Sequence, residues 1–116
     1  MTHPIDVLVI EPSEADARKT VAAIRRKAPG LSTVHVSGAQ MAAELIFDYW
    51  PSDHPQVPRL VIVDLDATGE PGKDVLSRLR SAAATRNVAT VLKPIGGDEY
   101  AVEVDRAVGQ LLLEQT

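Results

Sequence analysis

Cysteine is absent from this 116-residue chain, which removes disulfide frameworks, thiolate nucleophiles and thiolate-ligated zinc or iron–sulfur centres. Aromatic residues are almost absent too. One Trp, two Tyr and one Phe are too few for base-stacking surfaces or carbohydrate platforms. Positive charge is short: 12 Lys and Arg against 16 Asp and Glu give a net charge of −4, with no basic cluster. Phosphate contacts dominate nucleic-acid affinity, so that class of partner is disfavoured. No apolar run approaches the roughly 18 residues of a membrane span, and the opening MTHPIDVLVIEP has neither a charged leader region nor a small-residue cleavage site. Gly and Pro stand at 7 and 8, ordinary levels that do not indicate disorder or a collagen-like repeat. The expectation is one soluble, cytoplasmic domain over residues 1–116, with no nucleic-acid or membrane partner and a core of Ala, Val, Leu and Ile.

The residues that are present fall into short aliphatic runs separated by helical periodicity. Ile5 to Ile10, aliphatic apart from Asp6, and Leu60 to Val63 run without alternation, and end abruptly in Glu11 and Asp64. Apolarity on both faces marks central strands of a parallel sheet. Leu31 to Val36 alternates, with Thr33 and His35 opposite Val34 and Val36, as an edge strand would. Val88 to Leu92 is a shorter candidate, stopped by Lys93-Pro94. Between these runs, Ser13 precedes Asp16 in a capping arrangement, and Ala17, Val21, Ile24 and Ala28 recur at helical spacing before Pro29-Gly30. Ala42, Leu45, Ile46 and Tyr49 make a second stripe. Val75, Leu76, Leu79 and Ala83 make a third, and Tyr100, Val104, Val108, Leu111 and Leu112 a fourth. The segment Trp50 to Pro58 reads as a surface loop at the opposite edge from the strand-end acids.

Strands alternating with helices predict a doubly wound parallel α/β sheet, in which ligands gather beyond the carboxyl ends of the strands. Glu11, Asp64 and Lys93 each end a strand at that edge. Close carboxylates repel until a divalent cation such as Mg²⁺ neutralises them, and such a cation keeps positions open for phosphate oxygens. A lysine opposite supplies a point charge to the same phosphoryl group. Phosphoryl transfer needs little beyond positioning and charge neutralisation, and one carboxylate can act as the nucleophile.

The chain resembles the receiver domain of two-component response regulators along nearly its whole length. VLVIEPSEADAR (Val7 to Arg18) is similar to the family's first strand and first helix, and LVIVDLDATGEPGKDVLSRLR (Leu60 to Arg80) aligns without a gap to its third strand and third helix. The resemblance implies that Asp64 is the phosphoacceptor, that Asp66 lends its backbone carbonyl to Mg²⁺ beside Glu11 and Asp64, and that Gly72 opens the third helix. It further implies that Lys93 holds phosphate or pairs with Asp64, and that the Lys93–Pro94 peptide bond is cis. A single-domain response regulator of the phytochrome-associated subgroup is the nearest likeness. Such a protein would receive its phosphoryl group from a sensor histidine kinase, here of phytochrome type with light as stimulus, and act through protein–protein contact without an effector domain.

Three departures accompany the likeness. Pro12 replaces the second acid that normally touches the metal, so Mg²⁺ binding is expected to be weak or absent. Only Ser81 to Leu92 separates the third helix from Lys93, too few residues for the family's next βα unit. The switch hydroxyl is lost with that unit, and Thr90, inside the last strand, takes the position of the switch aromatic. The expected architecture is therefore a flavodoxin-like sheet one βα unit short, with four strands in the order 2-1-3-last and four helices. Part of one sheet face would lose its cover, and with Leu111, Leu112 and Leu113 unable all to face inward, a homodimer through the last strand and helix is expected. Two functions remain open. One is a working phosphoacceptor with weakened phosphorylation. The other is a pseudo-receiver that dimerises or binds partners without phosphate. A small flavodoxin-like ligand binder ranks below both, because EPSEADAR follows the first strand in place of a glycine-rich phosphate loop. His3, His35 and His54 have no ligand spacing and carry no assigned role.

Overall fold

The computed structural model describes residues 5–48, 58–81, 88–93 and 97–114. Along the chain they form β1 (Val7–Ile10), α1 (Glu14–Lys27), β2 (Thr33–Val36) and α2 (Ala39–Ala43), which runs into a π-helical turn, Glu44–Asp48. There follow β3 (Leu60–Asp64), α3 (Leu65–Ser81), β4 (Ala89–Lys93) and α4 (Gly97–Glu114). All four strands are parallel, in the order β2-β1-β3-β4, as the periodicity predicts. Trp50, the loop that follows it as far as residue 57, and Pro94 lie outside the described residues, as do Tyr49 and Ala83 of the helical stripes.

Every residue of β1 and β3 is buried, which is why their sequences are apolar without alternation. Successive side chains still go to opposite faces. Val7, Val9, Leu60, Ile62 and Val91 pack under α1 and α4, against Ile24, Val104, Val108 and Leu111. Leu8, Ile10, Val61 and Val63 pack under α2 and α3, against Ala42, Ile46, Val75 and Leu79. Each buried aliphatic side chain contributes about 1.5–3 kcal/mol, enough for a core with so few aromatics. β2 is an edge strand, as expected, but its burial does not alternate: Thr33, Val34 and His35 are all half-buried and Val36 is buried.

The helices begin and end for local reasons. Ser13 caps α1, its hydroxyl accepting the Asp16 amide at 3.3 Å. Glu14 and Asp16 lie in the first turn of α1 and Arg25, Arg26 and Lys27 in its last, both favourable to the helix dipole. α3 differs from expectation at its start. A helical turn already begins at Leu65, directly after β3, ahead of the helix in whose first turn Gly72 lies, as expected. Asp64 causes this, because its Oδ1 accepts the Ala67 amide at 3.0 Å and its main-chain carbonyl accepts the Thr68 hydroxyl at 2.6 Å. The helix is then broken at Gly69, whose φ of 61° and ψ of −140° suit glycine alone. Pro71 follows in the first turn after the break, where a missing N–H does no harm.

At the amino edge of the sheet, Asp6 and Arg59 tie three segments together. Asp6 Oδ2 accepts the Ser32 amide at 2.8 Å, Arg59 Nη1 lies 3.6 Å from Asp6 Oδ1, and Arg59 Nη2 donates to the Leu111 carbonyl at 2.9 Å.

Candidate functional site at the carboxyl edge of the sheet

Three adjacent strands deliver the expected residues to one edge. Glu11 directly follows β1, its amide donating to the Val36 carbonyl of β2 at 3.0 Å. Asp64 ends β3 and Lys93 ends β4, and the two are paired across the parallel ladder. The strand order places β3 between β1 and β4, so Asp64 lies centrally with Glu11 to one side and Lys93 to the other. The Lys93 and Asp66 side chains lie outside the described side chains; their backbones are in β4 and in the first turn of α3.

Both carboxylates are buried, Glu11 with 4% and Asp64 with 9% of its surface exposed. Burial of a charge requires partners. Glu11 Oε2 accepts the Ser13 amide at 3.4 Å, which holds the acid against the first turn of α1. Asp64 Oδ1 caps α3 through Ala67. Asp64 therefore ends a central strand and caps the single helical turn that follows it, before the break at Gly69.

His35 is a residue that sequence reasoning left without a role. Its Nε2 lies 2.7 Å from the Glu11 carbonyl, and since a carbonyl can only accept, Nε2 carries a proton and donates. His35 is in register with Val9, two residues before Glu11, so β2 buttresses the turn that carries the acid. Thr68 and Ala67 were likewise unassigned. The Asp-x-x-x-Thr spacing from Asp64 to Thr68 was the available signal, since Asp before a helical turn caps it.

Two of the expected metal-binding side chains, Glu11 and Asp64, are described. Among the described residues no group of three or more His, Asp or Glu side chains is gathered around one point. Glu11 and Asp64 offer two carboxylates, and Pro12, exposed beside them, offers no oxygen from its side chain. Mg²⁺ is commonly held by one or two carboxylates, with waters and phosphate oxygens completing the octahedron, so these two acids fit that chemistry with one carboxylate fewer than the resemblance implies.

The leucine run divides as its spacing requires. Leu111 is buried in the core, Leu112 packs partly against it, and Leu113 is exposed. Leu111 is therefore a core residue. Thr90 lies within β4, paired with Val61.

No family model and no curated protein matches the sequence. Solved structures do. The phosphorylated cyanobacterial phytochrome response regulator RcpA superposes with a TM-score of 0.65 at 19% identity, over 89% of this chain and 76% of that one. The signal receiver domain of a DNA-binding response regulator from Colwellia psychrerythraea 34H gives 0.67 at 18% identity, over 91% and 96%. This chain has the receiver fold. The Mn²⁺-bound response regulator Rcp1 gives a TM-score of 0.57 at 16% identity, over 84% of this chain and 73% of that one. In receiver-fold terms, the four strands and four helices of this chain form the flavodoxin-like sheet in the order 2-1-3-4. Among the described residues no helix is long and apolar enough to cross a membrane.

Proposed function

We propose that this chain is a cytoplasmic receiver-type signalling module whose phosphoacceptor is Asp64. The observation that carries the reading is the position of Asp64. It is a buried carboxylate at the end of a central strand, with Glu11 ending the strand on one side and Lys93 paired to it on the other. In the transfer, an Asp64 carboxylate oxygen attacks phosphorus, the P–N bond of a kinase phosphohistidine breaks, and the imidazole leaves with the electron pair. The acyl phosphate adds negative charge at the carboxyl edge of the sheet, where Lys93 ends the neighbouring strand in register with Asp64. With two carboxylates and Pro12 in place of a third, metal binding is weak and the transfer slow.

The kinase is a sensor histidine kinase, and the fold likeness to phytochrome response regulators supports a phytochrome-type one. Output is by protein–protein contact. A second reading is favoured by one observation: the Asp64 carboxylate already has a structural task as the cap of α3. In that reading the chain is an interaction module independent of phosphate, of which a homodimer through β4 and α4 is one form.

Acetyl phosphate with Mg²⁺, followed by intact mass measurement, separates the two. The first reading expects a mass gain of one phosphoryl group that disappears in Asp64→Asn and forms faster in Pro12→Asp. An unchanged mass in wild type and in Pro12→Asp, with a phosphorylated histidine kinase as second donor, refutes it and leaves the interaction module.

A further inference from the structure

The two faces of the sheet are covered unequally. Under α1 and α4 the cover extends to β4, where Val91 is buried against α4. On the other face, α2 and α3 cover β2, β1 and β3, and among the described residues nothing lies beyond α3 over β4. A groove of about 420 Å³ occupies that place. Its floor is apolar, formed by Leu65, Leu76 and Leu92, and its rim carries Lys73, Ser77 and Arg80. Among the described side chains no carboxylate lines it. Lys73 is only loosely held, 3.4 Å from Glu70 with both side chains exposed, and Arg80 makes no ion pair among the described residues. An apolar trough with a cationic border, on a chain whose net charge is −4, is a local inversion of the molecule's own character.

We propose that this groove is the docking site for an amphipathic helix of a partner protein, one that carries an apolar stripe flanked by Asp and Glu. A helix is the shape of the vacancy, because the groove lies in the layer that α2 and α3 occupy. Acidic flanks follow from the rim, since rim charges that meet their opposites set which partner binds. Among the described residues a second copy of this chain offers no matching stripe. The large apolar side chains exposed among its described residues are Met41, Val102 and Leu113, separate positions that make no continuous stripe. The proposal is independent of phosphate on Asp64.

The test uses the full chain, labelled with ¹⁵N, and two synthetic helical peptides with Leu at i, i+4 and i+7. One peptide has Glu on the flanking positions and the other has Lys. The Glu peptide is expected to bind saturably, moving the amide resonances of Leu76, Ser77, Arg80 and Leu92, with the Lys peptide about tenfold weaker. Arg80→Glu, at an exposed position that leaves the core intact, is expected to weaken the Glu peptide about tenfold, whereas the same change of charge in Lys19→Glu, exposed on α1 across the sheet, leaves its affinity unchanged. Absence of saturable binding, equal affinity for both peptides, shifts confined to another surface, or a stable dimer whose interface protects the same amides would each overturn the proposal.

Discussion

At the scale of single residues, Asp64 does two things with one carboxylate. Its Oδ1 holds the first turn of α3 through the Ala67 amide, and its position at the end of β3 makes it the acceptor in the proposed transfer. The two tasks draw on the same carboxylate, which is why the mass measurement on wild type and Asp64→Asn decides between the two readings. Glu11 depends on its neighbours in another way. The turn that carries it is held by the His35 Nε2–H, which donates to its carbonyl. His35→Ala is expected to lower stability by about 1 kcal/mol, the usual worth of one such bond, read as a shift of the urea midpoint at unchanged slope. An unaltered midpoint would mean that β2 does not support the turn. The two acids were legible in the sequence because aliphatic runs that stop in Glu or Asp announce strand ends. The His35 contact was not, because it depends on the β1–β2 register, set across the intervening helix α1.

At the scale of elements, α3 is the informative case. Its stripe Val75, Leu76 and Leu79 was readable and is buried as expected. Its beginning was not, since Thr68-Gly69-Glu70-Pro71-Gly72 reads as loop by composition, and only the Asp64 cap and the Thr68 hydroxyl bond extend helical structure back to Leu65. Gly72 matters here through contact. A Cβ at that position would overlap the Thr68 hydroxyl, which is itself held on the Asp64 carbonyl. Alanine gains about 1 kcal/mol over glycine by helix propensity, but the overlap outweighs it. Gly72→Ala is therefore expected to destabilise by about 2 kcal/mol, with a smaller cost in a Thr68→Ala background, measured as a double-mutant cycle. Additive costs would show that the two positions do not press on each other. The capping of α1 by Ser13 was fully legible, because cap and first turn are neighbours in sequence.

At the scale of the molecule, four parallel strands in the order β2-β1-β3-β4 follow from alternating strand and helix signals, and the structure has them. What composition could not reveal is how the amino edge is closed. Arg59 reaches Asp6 and the Leu111 carbonyl, the latter 52 positions away in sequence, and so joins β1, β3 and α4. Asp6 and Arg59 are largely enclosed, with 14% and 26% of their side chains exposed. Arg59→Met should cost about 2 kcal/mol, since it leaves a partly buried carboxylate and a helix carbonyl without that donor, and thermal unfolding should remain a single transition. Retained stability would place the closure of α4 wholly in its apolar packing. The carboxyl edge carries the functional proposal, namely that residues 11, 64 and 93, at the ends of three adjacent strands, act as one phosphoryl site. Beryllofluoride, a mimic of the phosphoryl group, tests that claim directly when titrated with Mg²⁺ into ¹⁵N-labelled protein. The account predicts saturable shifts of the Glu11, Asp64, Ala67 and Lys93 amides that vanish in Asp64→Asn. A spectrum that stays unchanged at that edge, or shifts that persist in the variant, would contradict it.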